Sequence, residues 1–292
     1  MSSRSSLPIL IGAFLALYLI WGSTYLAIAI GVESFPPLFM AGTRFVLAGL
    51  CLFVLSKARG TPWPTCIQWR NSMLLGVLLL VGGNGCVSVA QSLGVASGVA
   101  ALAVATVPLF TLLLGLFFGQ KSRPLEWIGI ALGMAGMVIL NAGGHLQSSP
   151  LGAFLLVLAA ASWALGSVLG RFIDLPKGVM AAGAQMLCAG VCLLLLSALL
   201  GERLVHVPTL KSLAALAYLT FFGSIIAYSA YLYLLKNVRP AAATSYAYVN
   251  PVVAVGLGVV FAGEVLYPQE WLALFIIVAS VVLISIPQWR SR

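Results

Sequence analysis

The chain has 292 residues, of which 62% are hydrophobic and 7% charged. Soluble domains carry about 25% charged residues, so a soluble fold is excluded. The formal charge of +9 invites a nucleic-acid partner, but the basic residues are placed as membrane-flanking loops place them, and no nucleic acid is expected.

A spanning helix needs about 20 mostly apolar residues. Ten stretches qualify: 8–30, 36–56, 71–92, 96–118, 125–142, 150–171, 179–200, 211–235, 241–262 and 268–287. Helix is the expected form, because backbone facing lipid must satisfy its hydrogen bonds within its own segment. The alternation of barrel strands is absent. The first stretch carries Trp21, Ser23 and Thr24. Its Ala27-Ile28-Ala29 resembles a signal-peptidase site, but the apolar run is too long for a signal core, and the segment is expected to be retained. The second stretch holds Arg44, the one charge clearly inside a span. A central arginine costs about 2.5–3.5 kcal/mol on insertion scales. Arg44 either binds a substrate carboxylate, or pairs with backbone carbonyls or snorkels; the structural role is the expected one. Between the second and third stretches, Pro62, Trp63, Pro64 and Trp69 read as an interfacial loop.

The third stretch places Asn84, Ser88 and Gln91 at i, i+4 and i+7, on one helical face. The fourth has Thr106 and Pro108, and the sixth has Trp163 and Ser167. The eighth carries Ser224, Tyr228 and Tyr231; the ninth carries Thr244, Tyr246, Tyr248, Asn250 and Pro251. Polar groups at membrane depth either line a cavity or bind helices together. For the stripes of the third and eighth stretches taken as a pair, the cavity is the expected role. Trp21 and Trp163 fall inside their spans, where an indole N–H needs a partner. Pro108 and Pro251 are each expected to kink a helix and to offer a place for gating to bend it. Cys188 and Cys192 share a face, but no His or acid joins them, so no metal site is expected.

The second half repeats the first. Gly119-Gln120 followed by Glu126-Trp127 is matched, at the same spacing, by Gly263-Glu264 followed by Glu270-Trp271. Gly83-Asn84 is echoed by Gly223-Ser224, and Trp21 by Trp163. The period is about 140 residues, the scale of a transporter half. Residues 1–146 and 147–292 therefore form two five-helix repeats. An odd number of spans makes the second repeat inverted relative to the first. With ten spans, Arg4, Lys57, Arg59, Arg70, Lys121, Arg123, Arg171, Lys177, Lys236, Arg239, Arg290 and Arg292 fall on one side, and only Arg203 and Lys211 on the other. Basic loops stay cytoplasmic, so both termini are expected in the cytoplasm.

No Asp or Glu occupies a span centre, and His145 and His206 lie in loops. Buried acids are the usual proton relay, so facilitated diffusion is expected in place of obligatory proton coupling. There is no P-loop, no Gly-x-Ser-x-Gly elbow and no His-Glu-x-x-His pair, so neither ATP hydrolysis nor a membrane hydrolase is expected, and no cofactor.

Trp21-Gly22-Ser23, Arg44-Phe45, Trp163-Ala164, and Pro251 followed by Gly263-Glu264 resemble the ten-span EamA-type members of the drug/metabolite transporter superfamily. Where the family has Glu after the first-half Gly, this chain has Gln120. The resemblance implies export of small metabolites, with bacterial amino-acid exporters as the functional guide. It also implies a cavity lined by spans one, three, four, six, eight and nine. The expected protein is a multi-pass inner-membrane exporter of neutral or aromatic amino acids, working by alternating access through a neutral, aromatic cavity. Its expected site is Trp21, Ser23, Asn84, Ser88, Gln91, Trp163, Ser167, Ser224, Tyr228, Tyr231, Tyr248 and Asn250. A drug exporter is the alternative, and a membrane enzyme ranks lower. Membrane lipid and a small molecule are the partners. The two halves already supply the symmetry that smaller relatives obtain by pairing, so a monomer is expected, with a homodimer as the alternative.

Overall fold

Helix occupies part of every one of the ten apolar stretches. The computed structural model describes residues 7–95, 100, 103–141, 150–253 and 268–289. We number the helices α1 (Leu7–Val32), α2 (Pro37–Ala58), α3 (Cys66–Ser92), α4 (Val107–Phe117) and α5 (Pro124–Asn141) in the first half. The second half has α6 (Pro150–Leu169), α7 (Val179–Leu199), α8 (Leu210–Asn237), α9 (Pro240–Ala243, resuming over 246–253) and α10 (Pro268–Trp289). No strand occurs among the described residues. Among the described residues, six helices, α1, α2, α3, α6, α7 and α8, are long and apolar enough to cross a membrane. Gly263-Glu264, His145, Arg4, Arg290 and Arg292 lie outside the described residues.

Local chemistry sets the helix ends. Thr65 opens α3 with a capping box: its hydroxyl accepts from Gln68 N, and the Gln68 side chain accepts from Thr65 N. Thr209 caps α8 with its hydroxyl, which accepts from Ser212 N. Gly119 closes α4 at φ 72°, a conformation that favours glycine, and Gln120 N then returns to Gly115 O at 2.9 Å. Pro124 opens α5 five residues later. The Gly119…Glu126 motif is thus a helix stop followed by a helix start.

Packing joins the halves pairwise. α2 lies against α7, and α5 against α10. α1 runs along α8, as α6 runs along α3. The α2–α7 seam is made of glycines. A Cβ on Gly49 would sit 3.0 Å from Gly183 O, and one on Gly190 would sit 3.0 Å from Gly42 O. Small residues let helix backbones approach in lipid, where there is no hydrophobic drive to pack.

Two departures from regular α-helix shape the centre. α3 is π-helical over Gly76–Gly85, and α8 over Leu219–Tyr228. Such segments shift the hydrogen bonds to i→i+5 and collect at functional sites. The helical runs of α4 and α9 are also broken, the first by a turn at 105–106 between helical residues 103–104 and Val107, the second by a turn at 244–245. Pro108 and Pro251, expected to kink their helices, stand differently relative to these turns. Pro108 sits in the first turn of α4, where its missing N–H costs nothing. The break in α9 lies upstream of Pro251, at Thr244-Ser245.

Candidate functional site

Trp21, Tyr25 and Ile28 point from one face of α1, at i, i+4 and i+7, into a cavity of about 50 Å³. That is room for a few waters. α3 contributes Gly83 and Asn84, α6 Ala159, Ala160 and Trp163, and α9 Tyr246 and Asn250. Thr24 also lines it, as do Val104 and Val107 at the start of α4.

Each tryptophan lies across the opposite half. Trp21 Nε1 donates to Gly223 O at 3.0 Å. The Trp163 ring covers Gly83, whose lack of a side chain leaves space for it. Trp163 Nε1 donates to Tyr231 Oη at 2.9 Å, and Tyr231 also shares a short hydrogen bond with Ser167. Trp21 stands edge-on to Trp163, with ring centroids 5.4 Å apart, and to Tyr246 at 4.7 Å. The offset and edge-on geometries are those that aromatic quadrupoles favour.

Arg44 changes the character of this cavity. It is 3% exposed and lines the wall from α2. Its Nε donates to Ser224 Oγ at 2.6 Å, and its Nη1 to Asn84 Oδ1 at 3.4 Å. Ser224 Oγ in turn donates to Leu219 O, inside the π-helical stretch of α8. The guanidinium thus bridges the π segments of α3 and α8 through residues that echo each other in the repeat. Neither ion pair among the described residues involves Arg44. The expectation of a neutral cavity is corrected: its wall carries a cation. The expectation of backbone pairing or snorkelling for Arg44 is also corrected, since its partners are two side chains at the cavity.

Of the expected site residues, Trp21, Asn84, Trp163 and Asn250 line the cavity. Tyr231 and Ser167 stand behind Trp163, and Tyr228 is buried beside them, donating to Gln185 Oε1 at 2.6 Å. Ser224 holds Arg44. Ser88 donates back to Asn84 O, Gln91 donates to Tyr25 O, and Ser23 bonds Ile20 O and the Tyr218 hydroxyl. These three tie helices and turns together. Tyr248 is not among the residues that line this cavity. It packs with Ala105, Leu112 and Ile130 in a separate apolar cluster, because it sits two residues from Tyr246 and so on another helix face. Tyr25 was missed, although its spacing of four from Trp21 was a usable signal.

One end of the bundle is tied by polar contacts between halves. Glu126, 1% exposed in the first turn of α5, accepts from Arg239 Nε at 2.6 Å and Nη2 at 2.9 Å, and from Arg123 N at 2.8 Å. Arg239 also donates to Lys121 O. Arg171 lies near enough that burial, and then the Arg239 charge, hold its guanidinium below the usual range. At the same end Asn71 donates to Asp174 O at 2.9 Å.

The EamA-like transporter family model matches the chain twice, over residues 8–142 and 150–286. The chain belongs to the EamA-like transporter family. This EamA-like chain is 53% identical to the "Uncharacterized inner membrane transporter YedA" of Escherichia coli (strain K12), over 99% of this chain and 94% of that protein. It is 27% identical to a "Probable amino-acid metabolite efflux pump" of Salmonella typhimurium, over 91% of this chain and 92% of that one. A solved structure described as "Crystal structure of protein" shares the fold at a TM-score of 0.77 and 22% identity, covering 98% of this chain and 99% of its own. The EamA-like chain is thus a multi-pass inner-membrane transporter of the drug/metabolite transporter superfamily. Among its described residues no group of three His, Cys, Asp or Glu could hold a metal ion.

Proposed function

We propose that the chain exports small zwitterionic metabolites, amino acids with neutral or aromatic side chains, by alternating access. The observation that carries this is the cavity between the halves, where aromatic faces and amides share a wall with one guanidinium. Aromatic faces attract an ammonium group. The distant relative named as an amino-acid metabolite efflux pump supports the same substrate class. The present cavity admits only a few waters, so a metabolite enters when the helices part.

The two halves act as inverted five-helix repeats, residues 1–146 and 147–292, with both termini cytoplasmic. The pairing of Trp21 with Gly223 and of Trp163 with Gly83 supports that symmetry, as does the charge asymmetry of the loops. The interrupted helices α4 and α9 are the kind from which transporters build midplane sites.

The test is counterflow into proteoliposomes preloaded in turn with each common amino acid, with one labelled neutral amino acid as reporter. Accumulation that depends on neutral or aromatic preloads is the expected result. No counterflow with any amino acid, from folded protein, removes this substrate class and moves the search to nucleobases, sugars and organic cations.

A further inference from the structure

Among the described residues, the buried cation on the cavity wall pairs with no acid. Arg44 has five N–H donors in a planar fork. Two are used, one strongly on Ser224 and one at 3.4 Å on Asn84. Nη2 makes no hydrogen bond among the described residues, and it faces the space beside Gly223, where a Cβ would sit 3.2 Å away. Ser224 and Asn84 are neutral acceptors. They orient the guanidinium without cancelling its charge. An arginine kept at membrane depth with no acid is costly, and removing a charge from water is offset well only by an opposite charge in good geometry.

The opposite pole is present on another wall. Asn250 is 1% exposed and lines the same cavity, and its Oδ1 accepts no hydrogen bond among the described residues, although the Tyr25 side chain lies nearby. An acceptor beside the aromatic faces of Trp21 and Tyr25 suits an N–H donor that carries positive charge.

We propose that Arg44 is the anion anchor of this cavity, that its ligand is a monocarboxylate, and that the Asn250 wall takes the ammonium end of a zwitterion. The inference rests on the transporter reading above and narrows it: the carboxylate is the obligatory half of the substrate. A single guanidinium balances a single negative charge, and its free edge matches the two oxygens of a carboxylate. Asn84 and Ser224 are positioning residues that aim the fork.

The test compares ligands before it compares variants, so it survives a variant that fails to fold. Thermal stability of the purified protein is measured with phenylalanine, phenylalaninamide, phenethylamine and 3-phenylpropionate, and counterflow is run with the same set. Wild type should respond to phenylalanine and 3-phenylpropionate at concentrations roughly tenfold or more below those needed for the amide or the amine. In R44Q, which keeps donors for Asn84 and Ser224 but not the charge, that preference should vanish. R44K keeps the charge without the fork and should fall between. An equal response to acid, amide and amine overturns the inference while leaving a transporter standing. So does R44Q with the acid preference intact. A carboxylate-dependent stabilisation without amino-acid counterflow supports the anchor and sinks the amino-acid reading. No stabilisation and no counterflow by any of the four overturns the anchor.

Discussion

Glu126 and Arg239 should respond unequally to mutation. Glu126 is 1% exposed at its side chain and accepts three hydrogen bonds, two of them from Arg239. Arg239→Ala leaves that carboxylate buried without the two Arg239 hydrogen bonds, while the Arg123 N–H remains. Removing one partner of a fully buried pair costs about 3–5 kcal/mol. Arg239 is itself 29% exposed, so the pair is partly screened, and the loss scales down to about 2–3 kcal/mol. Losing the Arg239 charge also relieves Arg171, which trims the loss further. Glu126→Gln instead removes the charge but keeps an acceptor for Arg239, which is itself 29% exposed; about 1 kcal/mol is expected. The double variant should be more stable than Arg239→Ala alone, because no charge is then left buried. The assay is the apparent unfolding temperature of all four proteins in one detergent, arranged as a double-mutant cycle. Equal losses for the two single variants, or a double variant below Arg239→Ala, would refute the reasoning.

Glycine contacts give a graded series. A Cβ on Gly83 would run into the Trp163 ring, one on Gly223 would sit 3.2 Å from both the movable end of Arg44 and the Thr24 methyl, and one on Gly12 meets nothing. Gly83→Ala should therefore cost about 1–3 kcal/mol by overpacking, and Gly12→Ala should cost nothing measurable, with Gly223→Ala between them in melting temperature. Tyr231→Phe takes the acceptor from the buried Trp163 N–H and should destabilise by about 1–3 kcal/mol; a melting point unchanged from wild type contradicts that hydrogen bond. Tyr248→Phe removes a buried hydroxyl that has no hydrogen-bond partner among the described residues. It should keep both transport and stability, and a loss of counterflow at matched protein level would return Tyr248 to the site. Cys66 is exposed in the first turn of α3. A membrane-impermeant maleimide should label it in inverted membrane vesicles and not in intact cells; labelling from outside would reverse the proposed orientation.

The helices and their order were legible because ten long apolar stretches admit few other readings. Trp21 and Trp163 were legible as interior residues, since neither sits at a span end. Gly83-Asn84 and Gly223-Ser224 were visible as echoes, but their meeting point was not. It depends on the reach of Arg44 from α2, a length of side chain that no helical wheel records. The π-helical stretches were equally hidden. They turn each helix more slowly per residue, so a face drawn at α spacing through Ser224, Tyr228 and Tyr231 does not stay a cavity face. That is why Ser224 reaches Arg44 while Tyr228 and Tyr231 pack behind Trp163. Tyr248 failed for a related reason: the turn at 244–245 decides which face of α9 looks inward, and nothing in the residues of that stretch announces the turn.

The guanidinium on the cavity wall also bears on leakage. Bacterial inner membranes hold a proton gradient, and any water-bearing path through them threatens to discharge it. A fixed positive charge beside a narrow wet space raises the electrostatic cost of a bare proton or sodium ion there, as arginines do in water-selective pores. The residue that draws an anion inward therefore also bars, while its site is empty, the ions whose escape the cell can least tolerate.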